Sequence, residues 1–184
     1  MYRTFAWRRY RPFMSEVVLH MAVSLDGYVE GPDRDLGWLI EDPGLDFEPF
    51  LRKVEIMLMG RRTYETALDL GWPYEGMNAL VFSRDPSFEV ADERVEAYTK
   101  GVERWLEEER PLLEGDAWVV GGAPLVRAFM DVDAVDRMYL GIHPIVLGGG
   151  VPLFEQGTPK REFHTRAVDS YRGGLVLVEY ERVR

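Results

Sequence analysis

Short apolar runs alternating with helix-like stretches constrain this chain more than any other feature, because an α/β sheet leaves that rhythm in its sequence. Val17 to Val23 (VVLHMAV), Val54 to Met59 (VEIMLM), Ala79 to Ser83 (ALVFS), Ala117 to Val120 and Asp136 to Ile142 read as strands. A shorter strand is predicted over Val95 to Thr99. Helices are predicted between them over Asp46 to Lys53, Arg61 to Leu68 and Val102 to Glu109. The last of these carries Val102, Trp105 and Leu106 at helical spacing above an acidic face. Pro124 sits in the first turn of a further helix reaching Met130, where its missing N–H costs little. Beyond the run Gly148-Gly149-Gly150, the segments Glu162 to Tyr171 and Leu175 to Val183 flank Arg172-Gly173-Gly174, a hairpin signal. The predicted architecture is α/β, with a mainly parallel central sheet closed by an antiparallel C-terminal hairpin.

A length of 184 residues suits one domain. Cysteine is absent, which removes disulfides, thiolate metal sites and cysteine nucleophiles, and fits a reducing, cytoplasmic setting. No metal site is expected. The net charge of −10 argues against a nucleic-acid groove, which needs a basic stripe to displace counterions. No run of 18 apolar residues is present, so no membrane-spanning helix is expected. Arg3, Arg8, Arg9 and Arg11 alternate with aromatic residues near the start. Residues 1–14 read as a disordered extension and residues 15–184 as the folded domain.

An acidic chain can still bind an anion where arginines and backbone N–H groups are concentrated. Three segments do this at the carboxyl end of a predicted strand, the edge where open α/β sheets bind ligands. In Met59-Gly60-Arg61-Arg62-Thr63-Tyr64 a strand gives way to a helix start with two guanidiniums. Ser83-Arg84 ends the run ALVFS and offers a hydroxyl and a guanidinium to a phosphate monoester. Val120-Gly121-Gly122-Ala123-Pro124-Leu125 places paired glycines before a helix start, where backbone donors can reach a pyrophosphate. The third glycine of the doubly wound dinucleotide fingerprint is missing.

In this order the segments resemble the dihydrofolate-reductase superfamily, and in particular the branch holding the reductase domain of the riboflavin-biosynthesis deaminase-reductase. The resemblance rests on AVSLDGYV at 22–29, MGRRTYE at 59–65, VFSR at 81–84, WVVGGAPLVRAF at 118–129 and YLGIHPIVLGGGVPLF at 139–154. It implies a three-layer reductase domain, NADPH as cofactor, a small-molecule substrate and a homodimer. By position it implies that Gly60, Arg61, Arg62 and Thr63 meet the cofactor phosphates, while Ser83 and Arg84 embrace the adenosine 2′-phosphate. Gly121, Gly122, Ala123 and Leu125 would cradle the pyrophosphate, and Ala22 and Val29 would line the nicotinamide pocket.

Folate is not the expected substrate. Glu75-Gly76-Met77-Asn78 lacks the arginine that grips the folate tail in folate reductases, a loss of about 1.5–3 kcal/mol. Gly141 replaces the threonine of the folate site. The zinc-deaminase signature is absent too. Asp26 and Asp46 are the catalytic candidates, and Trp38 and His143 the substrate-binding ones. His20, inside a strand, reads as a core histidine. The expected activity is therefore hydride transfer from NADPH to a heterocyclic or sugar-pyrimidine substrate, as in the 5-amino-6-(5-phosphoribosylamino)uracil reductases. The rivals are a true folate reductase and a non-catalytic NADPH-binding module.

Overall fold

A computed structural model describes residues 15–90 and 94–184. The extension expected over residues 1–14 lies outside the described residues. The elements run β1 (Val17–Ser24), β2 (Tyr28–Glu30), α1 (Glu48–Leu51), β3 (Val54–Gly60), α2 (Arg61–Asp69), β4 (Asn78–Phe82) and β5 (Val95–Tyr98). They continue through α3 (Val102–Glu108), β6 (Asp116–Gly121), α4 (Ala123–Asp131), β7 (Arg137–His143), β8 (Val151–Pro152), β9 (Phe163–Ser170) and β10 (Val176–Arg182).

The large sheet has the order β5-β4-β3-β6-β1-β7-β10-β9. Its pairs are parallel from β5 through β7, and β10 and β9 add antiparallel. Every residue of β6 is buried, which is why that strand reads as a continuous apolar run rather than an alternation. On one face Leu19, Leu58 and Val119 pack with Trp105 of α3 and with Val126 and Phe129 of α4. On the other, Met57, Met59, Val81 and Trp118 pack with Tyr64 of α2. The result is the expected three-layer α/β fold with its antiparallel C-terminal hairpin.

Two expectations change in detail. The helix predicted over Asp46 to Lys53 contracts to the single turn α1, with Pro49 near its start. Just past the glycine run, β8 pairs with β2 in a small second sheet that periodicity did not reveal because each strand is so short. Gly150 has φ +115°, and a Cβ there would collide with the Glu30 carbonyl oxygen. Only glycine lets β8 approach β2 so closely. That contact sets Val29, Glu30 and Val151 at the rim of the cleft described next.

Candidate active site

The carboxyl ends of β1, β3, β4, β5 and β6 open into one cleft of about 880 Å³. Ligand clefts typically span about 300–1,000 Å³, so this one is roomy enough for a dinucleotide beside a second molecule. It has two chemically different arms.

The first arm is cationic. α2 begins after Gly60 and α4 after Gly122, and neither start has a side-chain cap. No side chain caps the leading amides of α2 or the Ala123 N–H of α4, whereas Pro124 has no N–H and the Leu125 N–H already donates to the Gly122 carbonyl oxygen at 2.9 Å. The two starts lie together: a Cβ at Gly60 would stand 3.7 Å from the Gly122 nitrogen. One at Gly122 would stand 3.3 Å from Thr63 Oγ1. The Gly121–Gly122 peptide is cis. Two helix N-termini meeting without intervening side chains favour an anion through N–H donors and aligned dipoles.

The arginines are not equivalent. Arg61 pairs with Glu65 at 2.7 Å and lies 5.0 Å above the Phe88 ring centroid, so part of its charge is already answered. Among the described residues Arg62 and Arg84 have no ion-pair partner, and both are exposed. Ser83 Oγ accepts the Asp85 N–H at 3.1 Å, which shapes the turn that presents Arg84.

The second arm lies over the sheet face formed by His20 and Ala22 of β1 and Trp118 and Val120 of β6. Thr66 and Ala67 of α2, Leu70 just past its end, Tyr74, and the stretch from Glu30 to Leu39 supply its other walls. Contrary to the sequence expectation, His20 is a cleft residue rather than a closed core histidine. Its ring stands 4.6 Å from Phe47, 4.8 Å from Phe50 and stacks on Tyr139 at 5.4 Å. Trp118 Nε1 donates to the His20 carbonyl oxygen at 3.2 Å. Burial pushes the imidazole down to about 4, so it is neutral at physiological pH.

The structure brings the expected cofactor residues together. Ala22, Val29, Gly60, Arg61, Arg62, Thr63, Ser83, Arg84, Gly122, Ala123 and Leu125 all line the cleft. Gly121 precedes them at φ +127°, turning the chain into α4.

The four catalytic and substrate candidates are not brought to the cleft. Asp26 accepts from Ser24 Oγ at 2.7 Å, from the Leu147 N–H at 3.1 Å and from the Gly148 N–H at 2.8 Å. These donors hold its carboxyl down at about 2, and it clamps the β1–β2 turn to the glycine loop. Asp46 accepts the Glu48 N–H at 3.1 Å at the start of α1. His143 is buried, and its Nδ1 accepts the Ile40 N–H at 3.2 Å. Trp38 meets the His143 ring edge-on at 5.1 Å and donates to the Asp35 carbonyl oxygen. These side chains fasten loops to the sheet. Residues the sequence did not mark as site residues, notably His20, Glu30, Arg34, Tyr74 and Trp118, line the second arm instead. One signal was available: His20 and Ala22 lie two apart on a strand, hence on one face.

Sheet order, hairpin and cleft define a dihydrofolate-reductase-like domain. The model of the RibD C-terminal domain matches residues 114–177. YwjB of Bacillus subtilis (strain 168) is 31% identical over 172 residues, covering 91% of this chain and 98% of that protein. YyaP of the same organism is 29% identical over 180 residues, covering 89% and 93%. A solved structure from Shewanella sp. PV-4, assigned to riboflavin biosynthesis, superposes with a TM-score of 0.82 at 24% identity, covering 92% of this chain and 99% of that one. A Thermotoga maritima protein described as a diaminohydroxyphosphoribosylaminopyrimidine deaminase/5-amino-6-(5-phosphoribosylamino)uracil reductase has a TM-score of 0.69 at 17% identity. The match covers 92% of this chain and 57% of that longer one. This chain belongs to the RibD C-terminal-domain family.

Among the described residues, no helix is long and apolar enough to cross a membrane.

Proposed function

We propose that the chain is an NADPH-dependent reductase acting on a small heterocyclic or sugar-pyrimidine compound, like the reductase named in its Thermotoga neighbour. The observation that carries this reading is the meeting of two uncapped helix N-termini beside Arg62 and Arg84, which have no ion-pair partner among the described residues. A pyrophosphate fits the glycine-lined gap, where a Cβ at Gly122 would press on Thr63. In this assignment the Arg61–Thr63 and Gly122–Ala123 amides hold the pyrophosphate, and Arg62 offsets its charge. Arg84, at the end of β4, takes the 2′-phosphate. Ala22 and Val29 border the position of the nicotinamide, which when bound supplies a hydride.

The second arm then positions the acceptor carbon against that ring and limits water there. Glu30, next to Val29 on β2, is a carboxylate that lines the cleft, and it takes the place the sequence had offered to Asp26 or Asp46 as a group able to relay a proton from solvent. A homodimer belongs to the same proposal: among the described residues β9 ends the sheet, and Val168 on it is 60% exposed.

Calorimetric titration of the full chain with NADPH and NADH tests the cofactor assignment. NADPH is expected to bind about tenfold to a hundredfold more tightly, the worth of charge-assisted bonds to one phosphate. Equal affinities would remove the 2′-phosphate role from Ser83 and Arg84.

A further inference from the structure

Resting on the reductase reading, the second arm is the space left for the substrate, and its chemistry is unlike that of the first. We propose that it receives an uncharged, planar ring compound bearing a carbonyl or imine and carrying neither phosphate nor carboxylate, unlike the phosphoribosylamino compound in the name of the Thermotoga neighbour. Trp118 and Tyr74 stand edge to face at 5.6 Å beside the His20 ring, so the arm presents aromatic surface. Leu36, Leu39 and Leu70 add aliphatic walls, and Leu39 and Leu70 are 44% and 67% exposed, apolar surface left open at a cleft.

The charged groups there are Glu30 and Arg34, of opposite sign, while His20 is held neutral by its burial. A phosphorylated or carboxylated substrate would meet one exposed guanidinium and one repelling carboxylate, with no helix start to help. A lone exposed cation gives little. A ring substrate instead gains stacking and apolar burial without desolvating a charge. In the reaction hydride adds to the carbon of the C=O or C=N bond and the π electron pair moves to the heteroatom. That atom takes a proton relayed from solvent by Glu30, so NADPH and one proton yield NADP+ and the alcohol or amine.

The test is calorimetric binding to the full chain saturated with NADP+, which permits no turnover, using 1,4-naphthoquinone and uridine 5′-monophosphate as probes. The quinone has no cysteine to attack in this chain. It is expected to bind about tenfold or more tightly than the nucleotide, and Tyr74→Ala or Trp118→Ala to weaken it about tenfold, as ring stacking is worth. Tyr74 is only half-buried, so its variant reports even if Trp118→Ala fails to fold. Tighter nucleotide binding that is lost in Arg34→Ala overturns the proposal, as does quinone affinity indifferent to Tyr74. Binding of NADP+ itself reports separately on the reductase reading, and repeating the probe titrations without it tests the arm alone.

Discussion

Replacing Asp136 with alanine is expected to lower the unfolding free energy by about 3–5 kcal/mol, the loss that follows when one partner of a buried ion pair is removed. The carboxylate is 3% exposed. One oxygen accepts from the Val17 N–H at 3.0 Å and from Arg110 at 2.6 Å, and the other from Arg182 and Arg184, each at 3.1 Å. It thus joins the start of β1, the segment before β6 and the end of β10 at the root of β7. Alanine leaves the Val17 N–H without its acceptor and takes the shared carboxylate from two guanidiniums that are each only 16% exposed, Arg110 keeping the Ser15 carbonyl oxygen and Arg182 keeping Asp133. Arg184 is 62% exposed and adds little, because water answers its charge. Asp136→Asn keeps an acceptor for the N–H but loses the charge, so its loss falls in between. Against a usual domain stability of about 5–15 kcal/mol the alanine effect is large. The melting temperature is expected to drop by about 6–20 °C, at 2–4 °C per kcal/mol for a chain of this size. Urea unfolding followed by circular dichroism measures it, and a loss below about 1 kcal/mol, typical of an ordinary site, contradicts the anchoring role.

Arg84→Ala is expected to weaken NADPH by about tenfold to a hundredfold, the equivalent of 1.5–3 kcal/mol, while changing NADH by no more than about twofold. The guanidinium is exposed at the end of β4 and, among the described residues, has no carboxylate to release before a phosphate can engage it. Two exposed side chains pairing in water would return at most about 1 kcal/mol. A phosphate dianion with several acceptor oxygens returns more, since one planar guanidinium can donate two parallel bonds to it. Ser83 adds little to this difference because its hydroxyl already shapes the local turn with Asp85. The preference is also expected to shrink as salt rises, exposed charges being screened. Equal losses for both cofactors would instead mean that Arg84 shapes the loop.

These two sites show which features the chain makes legible. The cofactor arm could be read because each of its parts is local: a strand, a glycine and a helix start lie next to one another at Gly60 and at Gly122. Even the Arg61–Glu65 pair is an i,i+4 spacing open to inspection. The substrate arm could not be read, because it is assembled across layers. His20 seemed closed in because its strand is apolar, but α1 is a single turn and Phe47 and Phe50 cover only part of that sheet face.

Asp26 shows both halves of the problem. Its role beside Gly27, which has φ +84°, is local, because an aspartate before a glycine is a turn signal. Its bonds to Leu147 and Gly148 span more than 120 residues and leave no local signal. The same holds for His143 and Ile40, 103 residues apart, and for Asp136, whose strand-like spelling hid an anchor.

Hydrogen exchange of the full chain with and without NADP+ tests most directly whether the two helix starts hold the dinucleotide. Slower exchange is predicted in peptides spanning residues 60–66, 82–85 and 121–126, with the β9–β10 hairpin unchanged. Protection confined to the hairpin, or absent from the starts of α2 and α4, would contradict the account.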